Sequence, residues 1–281
     1  ARDPAGGNWL RTRLLSATSV VGCSSIATTK PARFSAVTAE ARAKFENALK
    51  SWAKTGQPRP SVVDPPDVGA TSVSLVNRPG SVQTGYLLGE PAINRAHADY
   101  DAVQVMNTIL GGSFSSRLNM NLREQHGYAY GASSTFNMYG DAGPFYSAAG
   151  VQTDKTSEAL KEFFNELEAI QKPVPAEELA RAKNYVALRY PSAFETTGDI
   201  SRRLEDQLVY RLPDDYFARY VQNIQAITAA DVQRVAQKYV QPGKFVVVVV
   251  GDLKTIEPGI RAMNLGPIKV MTIDEVFGPK P

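Results

Sequence analysis

Residues Ile109–Tyr139 read ILGGSFSSRLNMNLREQHGYAYGASSTFNMY. An apolar helix end runs into Gly111-Gly112, and the serines after it suit the N-cap of a second, amphipathic helix. Arg123 lies near the end of that helix. Gly127 follows at the place where a left-handed backbone is cheap only for glycine. A strand comes next. Tyr128, Tyr130, Ala132, Ser134, Phe136 and Met138 alternate onto one of its faces. Arg123 and Tyr130 are seven residues apart, and a helix–Gly–strand turn can bring both onto one rim.

Two readings of this pair stand side by side. Arg123 offers a permanently charged planar fork and Tyr130 a hydroxyl on a stiff arm, the donors a developing oxyanion needs. Alternatively, Arg123 is a surface charge paired with Glu124 or another acid, and Tyr130 belongs to a buried strand face. The loop Gly111-Gly112-Ser113-Phe114 reads locally as a helix cap. It is no phosphate loop, because no Gly-Lys-Ser/Thr follows.

Working outward, short strands are expected at about 72–76 and 82–88, around the turn Asn77-Arg78-Pro79-Gly80. Helices are expected at 97–110 and 115–126 and strands at 128–138 and 144–152. Further helices fall at 155–171, from Pro175 to before Pro191, at 194–211 and at 214–226. Thr228 and Asp231 form a capping-box pattern for a helix to Tyr239. Phe245 followed by five valines predicts a central strand buried on both faces. Elements come in groups, ββ-αα-ββ-αααα-β, so the fold class is α+β: a mostly antiparallel sheet with helices on one face. This domain is expected over 71–281.

Residues 1–70 form the remainder: an Ala/Thr/Ser-rich segment, one helix from Thr38 with Phe45, Leu49 and Trp52 on a stripe, a Gly56 stop and a Pro-rich linker. Residues 10–23, LRTRLLSATSVVGC, allow a short strand or a lipoprotein-type signal ending at Cys23.

Composition narrows the function classes. The 281 residues are 43% hydrophobic and 21% charged, with net charge +3 and no block of one sign. That gives no case for nucleic acid, and no apolar run suits a membrane span. The two histidines, His97 and His126, are far apart. Neither has a second His at i+4, so a metal site in this chain is not expected. His126 suits the negative end of a helix, and Glu177-Glu178 the positive end of one. No Gly-x-Ser-x-Gly elbow appears.

The Gly-rich loop, Ser116-Arg117-Leu118 and LREQHGYAY (122–130) resemble the second, non-zinc half of the M16 family, the insulinase and mitochondrial-processing metallopeptidases. The resemblance covers about 41–275, and the ending GPIKVMTIDEVFG looks like bacterial members. It implies a non-catalytic half that is inactive alone and holds no zinc, the zinc being expected in a partner. Arg123 and Tyr130 would then act on substrate in trans, and Gly111, Gly112, Ser113 and Phe114 would lie at the substrate entrance. Partners would be a zinc-bearing half, or a second copy of the chain, and an unfolded peptide held in extended form. The implied location is a bacterial periplasm or cell envelope, with the cytoplasm as the alternative. A scaffold of the same fold, with no peptidase role, is the rival reading. An unrelated α+β binding domain is a third.

Overall fold

The computed structural model describes residues 31–52 and 65–278. The expectations for residues 10–23, Cys23, Gly56 and most of the linker lie outside them. The chain divides into two compact units, Ala1–Val63 and Asp64–Pro281. In the first, helix α1 spans Pro31–Ala48. Phe45 and Trp52 are 69% and 77% exposed, so the apolar stripe is not covered within its unit.

The second unit is built on one six-stranded sheet. Its strands are β1 (Ser72–Asn77), β2 (Gln83–Pro91), β3 (Ala129–Phe136), β4 (Pro144–Gln152), β5 (Val246–Gly251) and β6 (Ile268–Thr272). Their order across the sheet is β3-β4-β2-β5-β1-β6. The pairs β3–β4, β4–β2 and β2–β5 are antiparallel, whereas β1 runs parallel to both β5 and β6. The sheet is therefore mixed. The sixth strand and the helix before it were not expected from the sequence.

Helices α2 (Tyr100–Leu110), α4 (Thr156–Ala169), α8 (Ala229–Tyr239) and α9 (Leu253–Ala262) each bury one stripe. Phe163, Phe245, Leu75, Leu88, Leu110 and Leu160 are fully enclosed between these helices and the sheet. Each such side chain contributes roughly 1.5–3 kcal/mol by leaving water. The valine run occupies the sheet centre, but only alternate residues are buried. Val247 and Val249 are at 0% exposure while Val246 is at 44%. The expected two-sided burial is thus corrected: helices cover one face, and β5 keeps the period-two pattern of a half-buried strand.

The Thr228–Asp231 box is present, each side chain bonding the other's backbone N–H. Two more helices, α6 (Thr197–Val209) and α10 (Ile273–Phe277), open with the same device at Thr196–Asp199 and Thr272–Glu275. Helices α5 (Ala176–Arg189) and α7 (Tyr216–Ala226) complete the unit. Arg95 and its aromatic neighbours lie beside them. Its guanidinium is 3.7 Å above the Tyr100 ring and 4.9 Å from that of Tyr216.

Candidate functional site

The rim around Arg123 is assembled from the C-terminal end of α2, the helix after it and strand β3. That helix begins as an α turn, α3 (Arg117–Asn119), and widens into a π turn over Met120–Gln125. Leu118 and Leu122, four apart, are fully buried and anchor it. Arg123 points the other way.

Gly127 ends the helix with φ +64°. Its N–H donates to Arg123 O, and Tyr128 N–H reaches back to Leu122 O at 2.8 Å, a seven-to-one closure that is one residue wider than the Schellman bond because the turn before it is a π turn. Space around Gly127 is open, so glycine is required here by backbone conformation and not by crowding.

Strand β3 is a sheet edge and carries a bulge. Ala129 pairs with Val151 and Ala132 with Ala149, so three steps on β3 match two on β4. The extra residue resets the alternation at Tyr130 and Gly131. Ala132, Ser134 and Phe136 face the core, as the pattern predicts, but Tyr130 is 86% exposed. The expected shared face is corrected at that residue: a bulge re-aims a side chain.

The Gly-rich loop is fastened to β3. Ser134 N–H donates to Gly111 O, and Asn107 and Ser134 exchange two hydrogen bonds of 3.2 and 2.7 Å. A Cβ on Gly111 would stand 2.3 Å from Ser134 N, so this approach admits only glycine. Ser116 caps the next helix by backbone position alone. Its hydroxyl is buried and makes no hydrogen bond.

These elements bring Phe114, Arg123 and Tyr130 together. The guanidinium carbon of Arg123 is 4.7 Å from the Phe114 ring centroid and 5.1 Å from that of Tyr130. Such contacts are worth about 0.5–1 kcal/mol each at exposed sites. Arg123 Nε also meets Glu124 Oε1 at 3.2 Å. Both readings of Arg123 thus have a geometric counterpart, though an exposed neighbouring pair contributes little. Phe114 is itself 65% exposed. His126 stacks on Tyr128 at 4.9 Å.

Glu178 does more than complement a helix end. It holds Arg117 by two hydrogen bonds, at 2.8 and 2.6 Å. Sequence reasoning missed this pair, because 61 residues separate its members.

Neither histidine is part of a metal-ligating group. His97 Nδ1 accepts from Asp99 N–H, and the Asp99 carboxylate is taken by Tyr239, Arg234 and Lys238. Burial pushes the Asp99 carboxyl up, but hydrogen bonds from Tyr239 and Arg234 outweigh it and leave it below its ordinary value. Among the described residues no cluster of His, Cys, Asp or Glu could hold a metal ion. Zinc therefore does not fit the described residues.

Comparison with known proteins decides the family. The family model described as the peptidase M16 inactive domain matches residues 35–186, more than half of the chain. The chain belongs to the M16 inactive-domain family. A zinc protease of Streptomyces coelicolor is 31% identical over 173 residues, covering 60% of this chain and 37% of that protein. The mitochondrial-processing peptidase α subunit of Pongo abelii is 27% identical over 201 residues, covering 65% and 37%. A solved peptidase M16 inactive domain from Pseudomonas fluorescens superposes with TM-score 0.67 at 28% identity, over 75% of this chain and 51% of that one. The chain thus spans about a third to a half of these relatives. No helix among the described residues is long and apolar enough to cross a membrane.

Proposed function

We propose that this M16 inactive domain is the substrate-side wall of a zinc peptidase. A zinc-bearing half supplies the metal, and this chain supplies Arg123 and Tyr130. The observation that carries the reading is the half-buried Arg123, its guanidinium against the Phe114 and Tyr130 rings, on the rim of an edge strand. An extended, unfolded peptide laid along β3 pairs its backbone with the open edge, largely independently of sequence. The fork of Arg123 and the hydroxyl of Tyr130 then donate to a peptide carbonyl oxygen and to the negative charge that builds on it. Gly111, Gly112, Ser113 and Phe114 border the approach. The names of the Streptomyces and mitochondrial relatives, a zinc protease and a processing-peptidase subunit, support the reaction class. The location that goes with it is a bacterial cell envelope.

The test is steady-state cleavage of a quenched fluorescent peptide by this chain paired with a zinc-bearing M16 half. Tyr130→Phe removes one hydroxyl and keeps the ring. It is expected to lower kcat by about 10²–10³, as loss of an oxyanion donor does. Arg123→Lys is also expected to lower turnover, since an ammonium cannot reproduce the planar fork. Equal kcat/KM for all three proteins would reject the role and leave a scaffold.

A further inference from the structure

We infer that Asn119 is a positioning residue for Arg123, acting by fixing the two segments whose rings touch its guanidinium. The inference rests on the function proposed above for Arg123 and Tyr130.

Asn119 is 5% exposed and lies one turn before Arg123 on the same helix. Its Nδ2 donates to Phe114 O at 2.7 Å, and its Oδ1 accepts from Ala132 N–H at a longer 3.4 Å. The partners fix the amide's orientation, because a carbonyl needs a donor and an N–H an acceptor. One side chain therefore ties two separate segments. Phe114 belongs to the loop that carries one flanking ring. Ala132 is the residue at which β3 resumes its pairing just past the bulge that carries the other, Tyr130. Gly131, inside the bulge, passes close to the same oxygen: a Cβ there would lie 3.6 Å from it.

The two rings approach Arg123 from different elements. Neither ring is held by burial, since both are largely exposed. Their separation is set by the backbone beneath them; the Gly111–Ser134 and Asn107–Ser134 bonds tie the loop to β3 further along, and the Asn119 amide ties it at Phe114 itself, next to the bulge. A guanidinium in contact with two rings has fewer orientations to lose when it meets a substrate carbonyl. Misplacing a reacting group by about 1 Å can cost about a hundredfold in rate. Asn119 touches no substrate in this scheme; it acts through Arg123.

The test uses two readouts. The first needs only this chain. Ring currents of Phe114 and Tyr130 are expected to shift the Arg123 Nε–Hε resonance upfield in the NMR spectrum. In Asn119→Ala the resonance is expected to move toward the position of a free arginine side chain. Asn119→Asp, which keeps the acceptor for Ala132 and loses the donor to Phe114, is read if the alanine variant does not fold. It is expected to move the resonance in the same direction. A folded variant with an unmoved Arg123 resonance overturns the inference. The second readout is peptide cleavage with a zinc-bearing half. Asn119→Ala is expected to lose about tenfold or more in kcat, with KM near the wild-type value. If Arg123 and Tyr130 variants cleave normally, the proposed function fails while the resonance still judges Asn119. If they lose turnover and folded Asn119→Ala does not, Asn119 is no positioning residue.

Discussion

Arg117 and Glu178 meet as a two-pronged ion pair, 17% exposed on each side, that clamps the helix of Arg123 onto α5. The planar fork of an arginine matches a carboxylate in this way, and an ammonium does not. Glu178→Ala leaves a partly buried guanidinium without its carboxylate. It is expected to cost about 1–3 kcal/mol, less than a fully buried pair would. Urea unfolding of wild type and variant checks this. Arg117→Lys should also lose stability, though it retains the charge.

Gly127→Val is expected to destabilise by about 1–2 kcal/mol, the cost of a left-handed backbone for a residue with a Cβ. Because nothing crowds the site, the penalty is conformational only. Gly127→Asn should therefore cost distinctly less, asparagine tolerating this region. Melting temperatures of the two variants, ranked Asn above Val, are the check. Equal melting temperatures for Val and wild type would contradict the account.

Two buried carboxyls give opposite pH signatures. Burial pushes Glu90 up to about 7, partly opposed by the Gln241 N–H and the Lys244 charge. The folded chain therefore keeps a proton that the unfolded chain gives up, and stability falls as pH rises from 4.5 to about 7. Glu90→Gln still accepts the Gln241 N–H. It is expected to remove that slope and to gain on the order of 2–3 kcal/mol at pH 8. Asp99, held below its ordinary value, contributes stability at neutral pH that disappears as pH falls through its folded pKa. Asp99→Asn should cost about 1–3 kcal/mol at pH 7 and much less in strong acid. Denaturant titrations across pH decide both.

Purified chain is expected to hold no stoichiometric zinc after dialysis, because its two histidines lie far apart in sequence and no donor cluster among the described residues could build a tetrahedral site. Elemental analysis measures this directly. One retained zinc per chain would overturn it.

Much of the local geometry of the candidate site could be read from residue order, because its parts are close in sequence. Gly127, the arginine four residues before it and the tyrosine three after it share one turn, and glycine there has one good explanation. The Thr228–Asp231 box was legible for the same reason, its donors and acceptors being three residues apart. The bulge at Tyr130 was not. Strict alternation fits β3 equally well without it, and only the pairing with β4 reveals the extra residue. The Arg117–Glu178 fork was hidden by distance along the chain. So was the parallel pairing of β1, which depends on strands near the other end.

That last pairing has a consequence for how the protein is made. Thr71 Oγ1 accepts a hydrogen bond from Phe245 N–H across 174 residues, and β1 takes both its neighbours from beyond that point. A ribosome adding roughly 5–20 residues per second leaves β1 without either neighbour for about ten to thirty seconds. During that interval Val73, Leu75 and Val76 have no strand beside them, and an unpaired apolar strand is a template for joining other chains. Nascent chains cut short before β5 should therefore clump or depend on chaperones, and the last strands to emerge close the sheet on both sides of the first.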